Sequence, residues 1–341
     1  MESTIPLQLP GIRHAILIGD ERQLPAMVKC KISENAEFGR SLFERMVLLG
    51  QKKHLLNVQY RMHPSISLFP NMEFYSKQIS DAPNVKERTY QRQFLQGNMY
   101  GPYSFINVAY GEDFHAGSSQ KNMVEVSVVA DVVASLFKES VSTRERVTVG
   151  LISPYKAQVF AIQEKLGNTY NTNSNISTSV RYCLWVLGNG STLINSGSVW
   201  EKIVIYAKDR GCYYNADEDK SLAKAIIDAL VELGQLNDLF IMDSLLFRGA
   251  RWKVSFCDDY LKSMARIKSI AIRKEVVDLL MKLSSGWHHP HKKGNLNLMK
   301  QYTVGKWYKL VWSVDILIEN SNFIQVLKTW DILPLAEIQN Y

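Results

Sequence analysis

In the first 215 residues, short continuous apolar runs alternate with stretches of helical spacing. The runs "HAILIGD" (14–20), "KKHLLNVQY" (52–60), "VTVGLI" (147–152) and "YCLWVLG" (182–188) are each bounded by polar turns, as buried strands are, and "PYSFINV" (102–108) alternates in the manner of a strand. Between them, "SLFERMVLLG" (41–50) reads as an amphipathic helix closed by Gly50. "NMVEVSVVADVVASLFK" (122–138) reads as a longer helix, with Asn122 as N-cap and Glu125 at capping-box spacing. Its Val124, Val128, Val132 and Leu136, with Val129, Val133 and Phe137, are expected on one broad face. A further helix follows the Ser153-Pro154 turn and directs Val159, Ile162 and Leu166 inward. Strands that alternate with helices and are apolar on both faces predict a parallel α/β sheet covered on both sides.

The pattern changes after about residue 215. "DEDKSLAKAIIDALVELG" is a helix capped by Asp217 or Asp219, and the acids of "NADEDK" serve as charges at its N-terminus. "RWKVSF" predicts a strand, "DYLKSMARIK" and "IRKEVVDLLMKLSSG" predict helices, and two alternating runs (302–318 and 322–330) flank the turn "ENSN". The sum is a small α+β module ordered strand, helix, helix, hairpin.

Composition adds bounds. With 46% hydrophobic and 21% charged residues, the 341-residue chain is of ordinary globular composition, long enough for two or three domains. No run of eighteen apolar residues and no basic-then-apolar leader occurs, so no membrane partner is expected. Cys30, Cys183, Cys212 and Cys257 are widely spaced without a CxxC pair, so neither a disulfide framework nor a zinc site is indicated. "WHHPHKK" (287–293) reads as a solvated basic loop rather than a site built on His288, His289 and His291, and no metal site is assigned. A net charge of +7 permits an anionic partner such as nucleic acid but does not demand one.

Asp20 and Glu21 follow four apolar residues, which is the profile of a strand whose acids hold magnesium and position water. That role needs a GxxxxGK[ST] phosphate loop earlier in the chain. Nineteen residues cannot contain one together with its helix and strand, and Gly305-Lys306 is followed by Trp307. On residue chemistry alone the pair is a solvated turn.

Three segments change that reading. "GDERQLPAMV" resembles motif III of superfamily 1 helicases, "NVQYRMHPSIS" resembles their motif IV, and "GLISPYKAQV" is similar to the strand and turn of motif IVa or Va. Their order and spacing are also the family's. The resemblance is to the senataxin-like branch, and "ESTIPLQLPGIRHAILIGDERQLP" and "CLWVLGNGSTLINSGSVWEKIV" look like its plant MAGATAMA-type members. It covers roughly residues 1–245, with the rest similar to a C-terminal extension of the plant members.

The resemblance implies RecA-like P-loop NTPase folds, with ATP and magnesium in a cleft and single-stranded RNA or DNA across the top. It implies the tail of a first RecA-like domain over 1–50, a shortened second one over 51–215, a helical connector over 216–245 and the α+β module over 246–341. Gln23 is then expected at the γ-phosphate, Asp20 fixes its turn, Gln59 orients the next loop, Tyr60 lies near the nucleotide, and Arg61 stabilises phosphate charge. Ser153, Tyr155 and Lys156 are expected to contact single-stranded nucleic acid, weakly, from the C-terminal end of a parallel strand.

The family's phosphate loop and magnesium acid are expected before Met1, so the chain reads as truncated and its ATP site as incomplete. Motif VI is eroded: Asn175 and Ile176 match its start, Arg181 matches its second arginine, and the Thr-Arg pair that carries the first is replaced by Ser179-Val180 or lost to a one-residue gap. The expected function is a fragment of an ATP-dependent RNA or RNA–DNA helicase, inactive alone and favoured to be nuclear over cytoplasmic. The alternative is a non-catalytic module that binds nucleic acid, or a protein through its C-terminal part.

Overall fold

The computed structural model describes residues 4–23, 28–116, 119–167, 169, 181–286, 299–319 and 322–336. Two compact units form, Met1–Tyr90 and Gln91–Tyr341.

The first unit contains α1 (Lys31–Asn35), α2 (Leu42–Leu48), β1 (Val58–Gln59), α3 (Pro64–Phe74), β2 (Ser80–Asp81) and α4 (Pro83–Lys86). Ser41 caps α2 as its side chain accepts from the Glu44 amide at 3.1 Å. In α3, Pro64 occupies the first position, where a helix has no acceptor for an N–H, whereas Pro70 removes an interior hydrogen bond.

Two expected strands are corrected here. Residues 14–20 form no strand, with Ile16 87% and Ile18 91% exposed, and of 52–60 only Val58–Gln59 is paired. A continuous apolar strand needs neighbours on both edges and cover on both faces. In this unit the described pairing is β1 with β2, two residues long and parallel.

The second unit is built on a parallel sheet ordered β6-β3-β7. The chain passes from β3 (Tyr103–Asn107) through a hairpin of β4 (Asp113–Ala116) and β5 (Ser119–Asn122), then α5 (Met123–Thr143) and α6 (Lys156–Leu166), to β6 (Leu184–Gly188). It returns through α7 (Gly190–Ile194) and α8 (Val199–Asp209) to β7 (Tyr213–Asn215), followed by α9 (Lys220–Leu233). All five residues of β3 are buried. Tyr103 meets Tyr206 of α8 with ring centroids 5.7 Å apart, and Phe105 stacks on Tyr213 at 5.4 Å. Ile106 joins the core that holds Val124, Val128, Val132 and Leu136 of α5 and Leu222, Ile226 and Leu230 of α9. The apolar pattern of this strand thus gives a sheet covered on both faces, as expected.

Helix α5 differs from its single-face expectation. Val126 and Val133 turn to a second cluster with Ala161, Ile162 and Leu166 of α6, and Phe137 is exposed. A helix apolar nearly all round is one packed on two sides. Residues 147–152, expected as a strand, are unpaired, and Ile152 is exposed. The described parallel sheet has three strands and none of them takes this run as a neighbour.

The start of α5 is a polar junction. Buried Asn122 accepts the amides of Val124 (2.9 Å) and Glu125 (3.1 Å), as the cap expectation required. Its own amide N–H donates to Gln158 of α6 at 2.9 Å, so Glu125 does not close a capping box. Glu125 instead accepts from Gln158 Nε2 at 3.2 Å. Burial, with nearby Asp113, pushes the Glu125 carboxyl up to about 7, although the Asn189 amide opposes this.

Beyond α9, which is capped by Asp219 through the amides of Ser221 and Leu222, lies the α+β module. It runs β8 (Lys253–Phe256), α10 (Asp258–Arg266), α11 (Ile270–Ser284), β9 (Met299–Val304), β10 (Tyr308–Glu319) and β11 (Asn322–Pro334), with sheet order β8-β11-β10-β9. The run 302–318 is two strands rather than one, because the chain reverses between Val304 and Tyr308, where the Gly305 amide donates to Glu275 at 2.8 Å. β11 pairs antiparallel with β10 and parallel with β8, so the expected hairpin lies inside a four-stranded sheet. Among the described residues no helix is long and apolar enough to cross a membrane.

Candidate functional site

The residues read as phosphate-facing all lie in the first unit, on two loops that reach opposite ends of α3. The first loop is organised by Gln59. Its side-chain oxygen accepts the amides of Arg61 (3.0 Å) and Met62 (2.8 Å), while its Nε2 donates to the Met62 carbonyl at 2.8 Å. The same nitrogen donates to Asp81 Oδ1 at 2.6 Å, and Ser67 of α3 donates to that oxygen at 2.8 Å. One amide side chain therefore closes the turn on itself, and a carboxylate on the neighbouring strand fixes which way that amide points.

The turn projects two side chains outward. Tyr60 is exposed, and its carbonyl accepts from Asn84 at 3.0 Å. Arg61 is also exposed, and among the described residues its guanidinium has no ion-pair partner. An arginine held by its backbone with its five donors open can take a phosphate or carboxylate in a forked contact.

The second loop is the Asp20 turn. Asp20 accepts from the Arg22 amide at 2.9 Å and from Gln23 Nε2 at 3.1 Å, and the Tyr75 hydroxyl donates to it as well. Burial raises its pKa, but these donors outweigh burial and hold the carboxyl below its usual value. Glu21 pairs with Lys53. Both acids are thus engaged by donors, and among the described residues no group of three His, Cys, Asp or Glu could hold a metal ion. Among the described residues no hydrogen bond joins the Arg61 guanidinium to the Gln23 amide, which is held by Asp20.

Leu24, Pro25, Ala26 and Met27, the end of the motif III match, lie outside the described residues. So do Asn175, Ile176, Ser179 and Val180 of the eroded motif VI, and the three histidines of 287–293. Arg181 is described and exposed ahead of β6.

In the second unit, Ser153, Tyr155 and Lys156 stand at the start of α6 rather than at the end of a paired strand. Tyr155 is the cap residue, and among the described residues Ser153 Oγ accepts the Tyr155 amide, at 3.2 Å. The Ala157 amide, near the helix start, donates instead to Ser119 of β5 at 2.9 Å. Tyr155 and Lys156 are exposed.

Asp81, Ser67, Tyr75 and Lys53 were not singled out from sequence. Asp81 and Tyr75 lie 22 and 55 residues from the partners they hold, too far for any local spacing rule to connect.

The parallel α/β sheet of the second unit is of the RecA-like fold class. Comparison with known proteins agrees: residues 38–183 match the AAA domain family. Helicase SEN1 of Saccharomyces cerevisiae is 29% identical over 259 residues, 62% of this chain and 11% of that protein. Probable helicase MAGATAMA 3 of Arabidopsis thaliana is 30% identical over 165 residues, 48% of this chain and 20% of that protein. Regulator of nonsense transcripts 1 homolog of the same plant is 34% identical over 159 residues, 46% of this chain and 12% of that protein. The chain thus spans a fifth or less of each of these relatives. Over these stretches the chain is similar to superfamily 1 helicases of the senataxin type. The AAA match takes in the Gln59–Arg61 loop and the Ser153–Lys156 turn, and it begins after Gln23.

Proposed function

We propose that this chain is a part of an ATP-dependent RNA or RNA–DNA helicase in which Arg61 and Gln23 face the γ-phosphate. Residues 1–50 then close a first RecA-like domain and 51–215 form a second. The observation that carries the reading is Arg61 itself, an exposed guanidinium without an ion-pair partner among the described residues, on a turn fixed by the Gln59–Asp81 contact. The 341 residues contain no GxxxxGK[ST] loop to cradle the other phosphates.

Mg·ATP should therefore bind this chain with a dissociation constant on the order of millimolar, about −4 kcal/mol. Arg61→Ala should weaken it about tenfold, the loss of one charge-assisted contact. No nucleic-acid-stimulated hydrolysis is expected. Titration of the labelled chain measures the affinity, and phosphate release measures turnover. Micromolar binding, or turnover abolished by Arg61→Ala, would overturn the proposed incomplete site. Binding indifferent to Arg61→Ala would remove the role given to this residue.

The second reading is a non-catalytic module that binds nucleic acid. It draws on the exposed Tyr155 and Lys156 side chains, which offer a stacking face and a charge at the same turn. Single-stranded RNA should bind weakly and lose affinity as salt rises. Lys156→Ala should reduce the slope of log affinity against log salt by about 1. An unchanged slope would exclude this turn from the interface.

A further inference from the structure

Arg61 and Gln23 are 38 positions apart, yet one helix reaches the anchor of each. At its N-terminal end, Ser67 donates to Asp81, which orients Gln59 and with it the Arg61 turn. At its C-terminal end stands Tyr75, the residue that follows α3, whose amide donates to the Asn71 carbonyl at 3.3 Å. The chain then reverses through Ser76 and Lys77, both at positive φ, and the Lys77 amide returns to the Asn71 carbonyl at 2.9 Å. The Asn71 side chain clasps Ile79, donating to its carbonyl at 2.6 Å and accepting its amide at 2.9 Å. Ile79 leads directly into β2, which carries Asp81. The backbones of Tyr75 and of Ile79, two residues before Asp81, are therefore tied to the same residue of α3.

Beside these contacts, Phe43 of α2 packs against Gly19, just before the Asp20 turn. The segment before it forms no strand. Among the described residues, the side-chain hydrogen bonds and ion pairs that leave residues 20–23 go to Tyr75 and Lys53. The Tyr75 hydroxyl and Gln23 Nε2 donate to the same carboxylate oxygen of Asp20. That oxygen is the link through which the end of α3 reaches the Gln23 amide.

We infer that Tyr75 is a positioning residue for Gln23: its hydroxyl fixes Asp20, Asp20 fixes the Gln23 amide, and α3 thereby sets the two phosphate-facing loops together. The inference rests on the reading of Gln23 and Arg61 given above. Tyr75 touches no nucleotide in this role; it acts through Asp20. Burial and the Asp20 charge push the Tyr75 hydroxyl up to about 12, so it stays a donor throughout the neutral range.

The test is nuclear magnetic resonance on the whole chain, with wild type, Tyr75→Phe and Asp20→Ala compared in Mg·ATP and Mg·ADP. Phenylalanine keeps the ring and removes only the donor, and the amide signals of α3 report whether the fold is intact. In the wild type, the Gln23 side-chain amide and the Arg61 Nε–H should each differ between ATP and ADP. In Tyr75→Phe the difference at Gln23 should be lost and that at Arg61 retained, and Asp20→Ala should reproduce this. The Asp20 carboxyl of Tyr75→Phe should also titrate at higher pH than in the wild type. If Gln23 still distinguishes ATP from ADP in Tyr75→Phe, the positioning role is overturned while the phosphate reading stands. If neither residue distinguishes them in the wild type, the phosphate reading fails and this role for Tyr75 goes with it.

Discussion

Replacing Glu125 by glutamine should stabilise residues 91–341 at pH 8 and leave their stability nearly unchanged at pH 5. The carboxyl lies where α5, α6, the β4–β5 hairpin and the loop after β6 meet. Gln158 Nε2 and the Asn189 amide donate to it, and Asp113 is the acid that faces it. Burial and that like charge raise its pKa from 4.5 to about 7. The raised value fixes the sign. The folded state holds the proton more tightly than the unfolded chain, so this contribution is fully present below about 4.5 and lost as pH rises through about 7. The displacement corresponds to at most about 3 kcal/mol. Asp217 works in the opposite sense. Burial raises it, but Arg248 and Tyr110 outweigh that and hold it below its usual value, so its contribution is lost only at acid pH, outside this window. The carbonyl of a glutamine side chain can accept from the same two donors without carrying charge. Urea unfolding at pH 5 and pH 8 should show the wild type losing stability across the interval and Glu125→Gln losing much less. A wild type as stable at pH 8 as at pH 5, with no gain in the variant, would contradict the assignment.

Gly111→Ala should cost the same unit about 3–5 kcal/mol, from strain, overpacking and damage to a cap. Gly111 has φ +89, and an added Cβ would lie 2.6 Å from Asn122 Oδ1 and 2.7 Å from Val124 Cγ2. Neither neighbour can give way cheaply. Asn122 caps α5, and its side-chain nitrogen donates to the carbonyls of Tyr110 and Gly111, both at 3.3 Å. Val124 is fully buried at the start of the same helix. Gly197→Ala is the control: φ is +61 there, and nothing lies within 4 Å of the added atom. It should cost only about 1–2 kcal/mol of backbone strain. Equal losses in the two variants, measured by urea unfolding, would mean that the Asn122 cap is not what Gly111 protects.

Local chemistry was enough to place many of the elements. Asn122 capping α5, Asp219 capping α9, the buried run of β3, and the helices after Ser153 and Cys257 are each written in residues near one another in the chain. So is the Gln-Tyr-Arg turn, because Gln59 closes it on residues two and three positions away. The apolar runs at 14–20 and 147–152 show the limit of such reading. Their composition states that they are fit to be buried strands, but a strand exists only when a neighbour takes its hydrogen bonds, and no local pattern names that neighbour.

The sequence by itself thus determined the turns, caps and periodic faces, and the motif order that points to the helicase family. Tertiary structure decided the rest, because it depends on groups distant in the chain: which apolar runs find partners, how Asp81 orients Gln59, how Tyr75 reaches Asp20, and that Gln158 takes the place of Glu125 at the start of α5.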